Sequence, residues 1–278
     1  MKAFYIGKKT LKECALFYAD CIGPDGMRKL TNKSVDMVMA DPPYGLTACK
    51  WDSIIPLKSM WEELKRVIKP NGAIVLMASQ PFTTKLISSN MEMFKYCWYW
   101  KKSKPNGWQH SKNRPMTAIE ECCVFSFASM GHVSQLGKNR MVYNPQNVIS
   151  SGKKIVTAAK HGQTLGARPN QIGIEYESYT GFPHNVLEYA NIIGSDAIHP
   201  TQKLVALMEY LIKTYTNEGE TVLDFAMGSG TTGEACLNLN RKFIGYENDL
   251  KYFNIAKRHL FRWDKYLKWE KTNENIQK

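Results

Sequence analysis

The chain lacks the cysteine and histidine patterns of disulfide-stapled or zinc-binding proteins. It has seven cysteines, an odd number, and none of them forms a C-x-x-C pair. Most lie in apolar runs, which is typical of reduced, buried thiols in a cytoplasmic protein. The six histidines are scattered without the spacing of metal ligands, so we expect no metal site.

Long apolar segments are missing as well. The first residues, MKAFYIGKKTLKE, contain no apolar core of a signal peptide. No apolar run approaches the roughly 20 residues that a membrane-spanning helix needs. The sequence therefore predicts a cytoplasmic protein without a membrane partner.

Acidic residues are scarce relative to basic ones. The chain has 37 lysines and arginines against 25 aspartates and glutamates, a net charge of +12. Residues 101–196 alone hold 11 bases and 6 acids, with aromatic residues interleaved. This combination favours a nucleic-acid surface, and the alternative is an insertion with ordinary surface lysines.

Strand and helix patterns alternate outside that basic region. The predicted strands are residues 15–19, 35–40, 73–78, 96–100, 122–127, 221–225 and 243–247. Helical spacing covers residues 58–68, 203–216 and 250–268, and another helix is expected near Pro81. The alternation predicts an α/β protein with a mostly parallel sheet covered on both faces. Between about residues 101 and 197 the periodicity fades, which predicts a long irregular segment.

One strand stops abruptly at an acid and two prolines. The sequence Asp41-Pro42-Pro43-Tyr44 follows the apolar run of residues 35–40. Prolines cannot donate a backbone hydrogen bond to a sheet, so this strand must end here. The stretch is either a plain strand terminator or a chemical site.

A second site follows the strand of residues 221–225. Gly228, Gly230 and Gly233 match the pattern G-x-G-x-x-G between a strand and a helix. Glycines there let the backbone approach a ligand, and the helix N-terminus offers unpaired N–H groups. Glu247 ends the next strand, where a carboxylate can accept the hydroxyl protons of a ribose. Taken alone, this pattern fits a nicotinamide-dependent oxidoreductase.

The charges around the glycines favour a different ligand. Asp224 and Phe225 precede the glycines, and residues 224–232 include no lysine or arginine to meet a pyrophosphate. A carboxylate suits a ligand with a cationic amino-acid part, so the pattern favours S-adenosyl-L-methionine.

Four short blocks together resemble the amino-group DNA methyltransferases. They are DPPYG at residues 41–45, HPTQK at 199–203, DFAMGSGTT at 224–232 and FIGYEND at 243–249. Because the Pro-Pro block precedes the glycine block, the resemblance is to the circularly permuted beta class, with the DPPY motif of the adenine-N6 type.

The resemblance implies a Rossmann-like class I S-adenosylmethionine-dependent methyltransferase fold. That fold has a mostly parallel seven-stranded sheet with helices on both faces, here circularly permuted and interrupted by a target-recognition region. The implied division is residues 1–128 for the catalytic half, 129–197 for the target-recognition insertion and 198–278 for the cofactor-binding half.

The resemblance also implies roles for individual residues. Asp41 and the Pro42 carbonyl would accept hydrogen bonds from the target amino group, with Pro43 completing the rigid turn and Tyr44 stacking on a flipped base. The implied cofactor-binding residues are Asp20, Cys21, Asp41, His199, Thr201, Lys203, Asp224, Phe225, Gly228, Ser229, Gly230, Thr231, Thr232, Glu247 and Asn248. Trp51 and Asp52 are predicted to lie in a mobile loop near the flipped base.

The sequence thus predicts a site-specific methyltransferase that acts on adenine N6 in double-stranded DNA. Aspartate as the first residue of the Pro-Pro block favours adenine, and cytosine N4 stays open as the alternative target. An NAD-dependent oxidoreductase and a non-catalytic DNA-binding subunit are more distant alternatives. The resemblance raises a homodimer and a cognate restriction endonuclease as further partners.

Overall fold

The computed structural model describes residues 2–8, 11–47, 49, 52–131, 139–156, 175–190 and 204–261. The chain separates into two compact units, Met1–Asn144 with Asn185–Lys278 and Pro145–His184. The second unit lies within the segment predicted as the target-recognition insertion. It contains the antiparallel pair β7 (Ile149–Val156) and β8 (Glu175–Thr180). Its role in target recognition stays a prediction.

A nine-stranded sheet forms the centre of the first unit. In spatial order its strands are β1 (Lys2–Lys8), β2 (Leu11–Tyr18), β11 (Lys242–Glu247), β10 (Thr221–Asp224), β3 (Val35–Ala40), β4 (Ile68–Ala78), β6 (Thr117–Phe125), β5 (Phe94–Asn106) and β9 (Val186–Tyr189). The strands from β2 to β4 pair in parallel. Strand β6 runs antiparallel to β4 and β5, β9 runs parallel to β5, and β1 folds back antiparallel on β2.

Seven of these strands, from β2 to β5 in spatial order, match the seven strands that the sequence predicts. The α/β prediction is therefore confirmed, and β1 and β9 extend the sheet at its two edges. The sequence pattern misses β9 because it has four residues and lies in the segment predicted to be irregular. The sequence pattern also misses β1, because the apolar run of residues 3–6 is only four residues long and has lysines on both sides.

Helices cover both faces of the sheet, as the sequence predicts. They are α1 (Leu57–Val67), α2 (Phe82–Ser88), α3 (Val205–Tyr215), α4 (Thr231–Asn238) and α5, which includes residues 250–261. Along β3, Met37 and Met39 pack on the side of α3, α4 and α5, whereas Val38 and Ala40 pack on the side of α1 and α2. This strand buries both faces, which explains why all of its residues except Asp36 are apolar. Across the described ranges, no helix is long and apolar enough to span a membrane.

The topology brings four acidic residues to one edge of the sheet. Strands β2, β3, β10 and β11 are parallel, so their carboxyl ends meet at the same edge. Asp20, Asp41, Asp224 and Glu247 lie at those ends. In open α/β sheets this edge is where ligands bind.

Candidate active site

A cavity of about 660 Å³ opens at the carboxyl-end edge of the sheet. Its volume suits a small-molecule ligand. The lining contains every predicted site residue in the described part of the chain except Gly230. These residues are Asp20, Cys21, Asp41, Pro42, Pro43, Tyr44, Asp224, Phe225, Gly228, Ser229, Thr231, Thr232, Glu247 and Asn248. His199, Thr201 and Lys203 lie outside the described residues.

The Pro-Pro turn holds its acid and its aromatic ring together. The Tyr44 hydroxyl donates a hydrogen bond to Asp41 Oδ1 over 2.5 Å. Burial, and then the Asp41 carboxylate, raise the pKa of Tyr44 well above its ordinary value, so the phenol stays protonated as the donor. Phe82 at the start of α2 stacks on the Tyr44 ring, with ring centroids 5.3 Å apart and an interplanar angle of 22°. These contacts fix the tyrosine ring and the carboxylate at one wall of the cavity.

The loop after the prolines is anchored by Asp52. Its Oδ1 accepts hydrogen bonds from the backbone N–H groups of Tyr44 and Gly45, over 2.8 and 2.9 Å. Its Oδ2 accepts two more from Leu46 and Thr47, over 2.9 and 2.7 Å. Although burial raises the pKa of Asp52, the loop hydrogen bonds outweigh it and lower that pKa below its usual range. Asp52 is therefore an anchor of this loop. The mobility predicted for it stays a prediction, and Trp51 lies outside the described residues.

Each of the three glycines at the glycine turn is required by a different feature of the local structure. Gly228 and Gly230 adopt left-handed conformations, with φ of +53° and +89°. A Cβ on Gly230 would lie only 3.2 Å from the Ala256 side chain of α5, so this glycine also allows close helix packing. Gly230 does not line the cavity. A Cβ on Gly233 would meet Leu260 and Phe243 at 2.8 and 2.9 Å, which again marks close packing.

Two carboxylates beside the glycine turn, the buried Asp224 and the half-buried Glu247, have raised pKa values. Asp224 accepts hydrogen bonds from Ala226 N–H over 3.0 Å and from the Thr232 hydroxyl over 2.7 Å. Burial nevertheless raises the pKa of Asp224 to about 7. Glu247 accepts bonds from Gly228 N–H and Asp249 N–H over 2.9 and 2.8 Å, and burial raises its pKa as well. A ligand with a cationic centre would favour the ionised form of both groups.

The charged side chains of the whole cavity lining also favour a cationic ligand. Within the described part of the chain, the cavity is lined by six carboxylates and two basic side chains, Lys102 and Arg114. Lys102 on β5 forms a nearly buried ion pair with Glu120 on β6. Its Nζ also lies 5.6 Å from the centroid of the Trp100 ring. The excess of acids therefore favours a cationic ligand, and the Lys102–Glu120 pair forms a polar wall on the strands beyond β4.

Sequence reasoning misses His259, which supports the glycine turn from α5. Its Nδ1 lies 3.1 Å from the Ser229 carbonyl oxygen, and its Nε2 lies 2.8 Å from Glu234 Oε2 on α4. Both partners accept hydrogen bonds, so the two contacts together favour the imidazolium form. The bond to Glu234 raises the pKa of His259, against the opposing effect of burial. A single histidine in an amphipathic helix carries no sequence signal for this role.

Among the described residues, no three side chains of the histidine, cysteine, aspartate or glutamate type lie close enough together to hold a metal ion.

The chain resembles known DNA methyltransferases in sequence and in fold. Residues 35–258 match the model of a DNA methylase family, N6_N4_Mtase. The type II methyltransferase M.HpaI of Haemophilus parainfluenzae is 25% identical over 256 residues, which cover 84% of this chain and 70% of that protein. The DNA adenine methyltransferase YhdJ of Escherichia coli (strain K12) is 27% identical over 260 residues, covering 84% and 79%.

Two solved structures share the fold. The crystal structure of the M1.HpyAVI–SAM complex has a TM-score of 0.56 and 27% identity, and the match covers 89% of this chain and all (100%) of that one. The cytosine-N4-specific PvuII DNA methyltransferase has a TM-score of 0.60 over 91% of this chain and 92% of its own. At 15% identity, the PvuII enzyme supports the fold alone.

Proposed function

The chain belongs to the DNA methylase family whose model covers residues 35–258, and we propose that it methylates adenine N6 at specific sites in double-stranded DNA, with S-adenosyl-L-methionine as methyl donor. One observation carries the proposal. The Asp41-to-Tyr44 turn and the glycine turn lie far apart in the sequence but line the same cavity. The turn proposed to bind the target amino group and the turn proposed to bind the methyl donor thus face the same cavity.

The cofactor half fits a cationic nucleoside. S-adenosyl-L-methionine supplies a methyl group that its sulfonium has already activated. In this chain, Asp224 supplies negative charge beside the glycine turn, and Glu247 at the end of β11 would accept the ribose hydroxyls. Asp20 at the end of β2 would face the adenine ring, beside the buried Cys21. The side chains of Phe225, Ser229, Thr231, Thr232 and Asn248 would complete this half.

The target half fits an exocyclic amino group. The nitrogen of such a group is a poor nucleophile because its lone pair is delocalised into the ring. Asp41 and the Pro42 carbonyl would accept hydrogen bonds from its two N–H groups and draw the nitrogen toward a tetrahedral geometry. The prolines hold these acceptors in place before the substrate arrives, which is the preorganisation that such catalysis uses. Tyr44, backed by Phe82, would stack on a base extracted from the duplex.

Adenine is the favoured target for two reasons. The Pro-Pro block begins with Asp41, the residue typical of the adenine-N6 type in this family resemblance. YhdJ, which is 27% identical to this chain, is named as a DNA adenine methyltransferase. The second candidate target, cytosine N4, is kept because cytosine also carries an exocyclic amino group and the matching family model is named N6_N4_Mtase.

The test is transfer of a labelled methyl group to duplex DNA, followed by identification of the modified nucleoside by mass spectrometry. Asp41→Ala should reduce transfer by roughly 100- to 1000-fold, the usual effect of losing one preorganised group. It should leave the affinity for S-adenosylhomocysteine largely unchanged. Asp25→Asn is a matched control, since Asp25 is an exposed aspartate paired with Lys29 away from the cavity. Unchanged transfer by Asp41→Ala would contradict the proposed role.

A cytoplasmic location, a homodimer and a cognate restriction endonuclease are further proposals. The location rests on the cysteine pattern and the absence of a signal-peptide pattern in the sequence, and the two partners rest on the family resemblance. Light scattering would test the dimer. Protection of cellular DNA against restriction enzymes, in cells that express the chain, would show which endonuclease recognises the same site.

A further inference from the structure

The connection between β5 and β6, residues 107–116, presents an exposed tryptophan, and we call this segment the β5–β6 loop. Trp108 is 75% exposed, more than any other large hydrophobic side chain in the described part of the chain. Water contact over an indole ring of this size is unfavourable, and exposed tryptophans are enriched at interaction sites.

The β5–β6 loop begins and ends at the cavity. Asn106 before it, Arg114 within it and Thr117 after it all line the cavity wall. Trp108 follows Asn106 by two residues, which corresponds to at most about 7 Å of chain. The exposed ring therefore lies beside the space into which the target base would move.

Backbone hydrogen bonds fix the loop around Trp108. His110 N–H donates to the Gly107 carbonyl over 2.9 Å, and Ser111 N–H donates to the Trp108 carbonyl over 3.0 Å. The N–H groups of Asn113 and Arg114 both donate to the His110 carbonyl, over 2.8 and 3.0 Å. The tryptophan is thus presented by a compact, hydrogen-bonded turn.

The segment around the tryptophan is basic. Residues 101–116 contain five lysines and arginines and no acid. Lys101 pairs with Glu188 and Lys102 pairs with Glu120. The β5–β6 loop itself, residues 107–116, holds Lys112 and Arg114 and no acid, and this positive charge complements the phosphates of DNA.

We propose that Trp108 enters the DNA base stack at the position from which the target base is extracted, while the basic residues of the β5–β6 loop contact the phosphates. Extraction of a base leaves a gap in the stack, and an aromatic side chain that fills the gap offsets part of the unstacking cost. Stacking on a tryptophan needs no particular neighbouring base, because every base has an aromatic face. This inference rests on the proposed function, and it adds Trp108 to the residues that contact the DNA substrate.

The test compares Trp108→Ala with the wild type on two duplexes that carry the methylated site found in cellular DNA. One duplex is fully paired, and the other has a mismatch opposite the target adenine, which is then already unpaired. Trp108→Ala should lower kcat/KM about tenfold on the paired duplex and clearly less on the mismatched one, because extraction of an unpaired base costs less and limits the rate less. Trp108→Phe should recover most of the loss. Met91→Ala is the control, because Met91 is 61% exposed and does not line the cavity.

Two results would overturn the proposal. An equal loss on both duplexes would show that Trp108 acts on folding or general DNA affinity. No loss on either would show that the ring does not enter the stack. Wild-type transfer to the paired duplex tests the proposed function separately, since it does not depend on the result for Trp108.

Discussion

Replacing Asp224 with asparagine should stabilise the folded protein at neutral pH and weaken cofactor binding. The residue is 3% exposed at the end of β10, and burial raises its pKa from 3.8 to about 7. Because the folded-state pKa lies above the unfolded one, folding favours the protonated carboxyl. The contribution of Asp224 to stability is therefore greatest below pH 3.8 and is lost as the pH rises toward 7.

The size of the effect follows from the two pKa values. The difference between 3.8 and about 7 corresponds to roughly 4 kcal/mol in the free energy of unfolding above pH 7. Asparagine keeps the acceptor for Ala226 N–H, and its amide can donate to the Thr232 hydroxyl. The substitution thus removes the buried charge with little change in shape. The stability gain of Asp224→Asn over the wild type should grow from near zero at pH 4 to as much as about 4 kcal/mol at pH 8.

Urea unfolding of both proteins between pH 4 and pH 8 measures this gain. Calorimetric titration with S-adenosyl-L-methionine should show weaker binding to the variant, because the negative charge beside the amino-acid part is gone. Asp25→Asn serves as the control away from the cavity. The hydrogen bond from Lys29 lowers the pKa of Asp25, so its replacement should give no gain in stability at any pH. A gain in stability that does not change with pH, or a loss at every pH, would refute the reasoning about burial.

Two other predictions concern the residues that hold the two halves of the site. Asp52→Ala should release the loop of residues 44–47 and lower kcat by about 100-fold through misplacement of the Pro-Pro turn, with S-adenosylhomocysteine binding unchanged. Since the pKa of Asp52 is lowered, the wild-type anchor holds above about pH 4 and is lost as the pH falls below 3.8, which loop hydrogen exchange would detect. His259→Asn should raise KM for the methyl donor and leave kcat nearly unchanged. Since the pKa of His259 is raised, its contribution is complete below pH 6.5 and is lost as the pH rises through the higher folded-state value. A variant that keeps the wild-type pH dependence of donor affinity would contradict this role.

Most of the cavity could be predicted from the sequence because its parts follow strand ends. A strand that stops at Asp41-Pro42-Pro43 and a strand that leads into Gly228 each carry a local pattern. Parallel pairing then brings the ends of these strands to one edge of the sheet. Local sequence patterns therefore suffice to predict which residues line the cavity.

The supporting contacts could not be predicted in the same way. Asp52 binds backbone amides of the loop before it, and an isolated aspartate has no pattern that distinguishes an anchor from a surface residue. His259 meets Ser229 and Glu234 only because α5 packs on α4, which depends on the whole fold. The stacking of Phe82 on Tyr44 likewise joins residues on separate elements, α2 and the turn after β3.

The edges of the sheet were harder to predict than its centre for a related reason. Central strands are buried on both faces, and residues 73–78 of β4 form a continuous apolar run for this reason. Strand β9 has one buried residue, Leu187, and three that are partly or fully exposed, so its sequence resembles a loop. The alternation that marks a strand needs more residues than β9 has.

The most direct test of the account is modification-sensitive sequencing of DNA from cells that express the chain, compared with cells that express Asp41→Ala. The account predicts N6-methyladenine at one recurring sequence in the first sample and its loss in the second. Methylation of cytosine N4 at that sequence would contradict the assignment of adenine, and unmodified DNA in both samples would contradict the proposed activity.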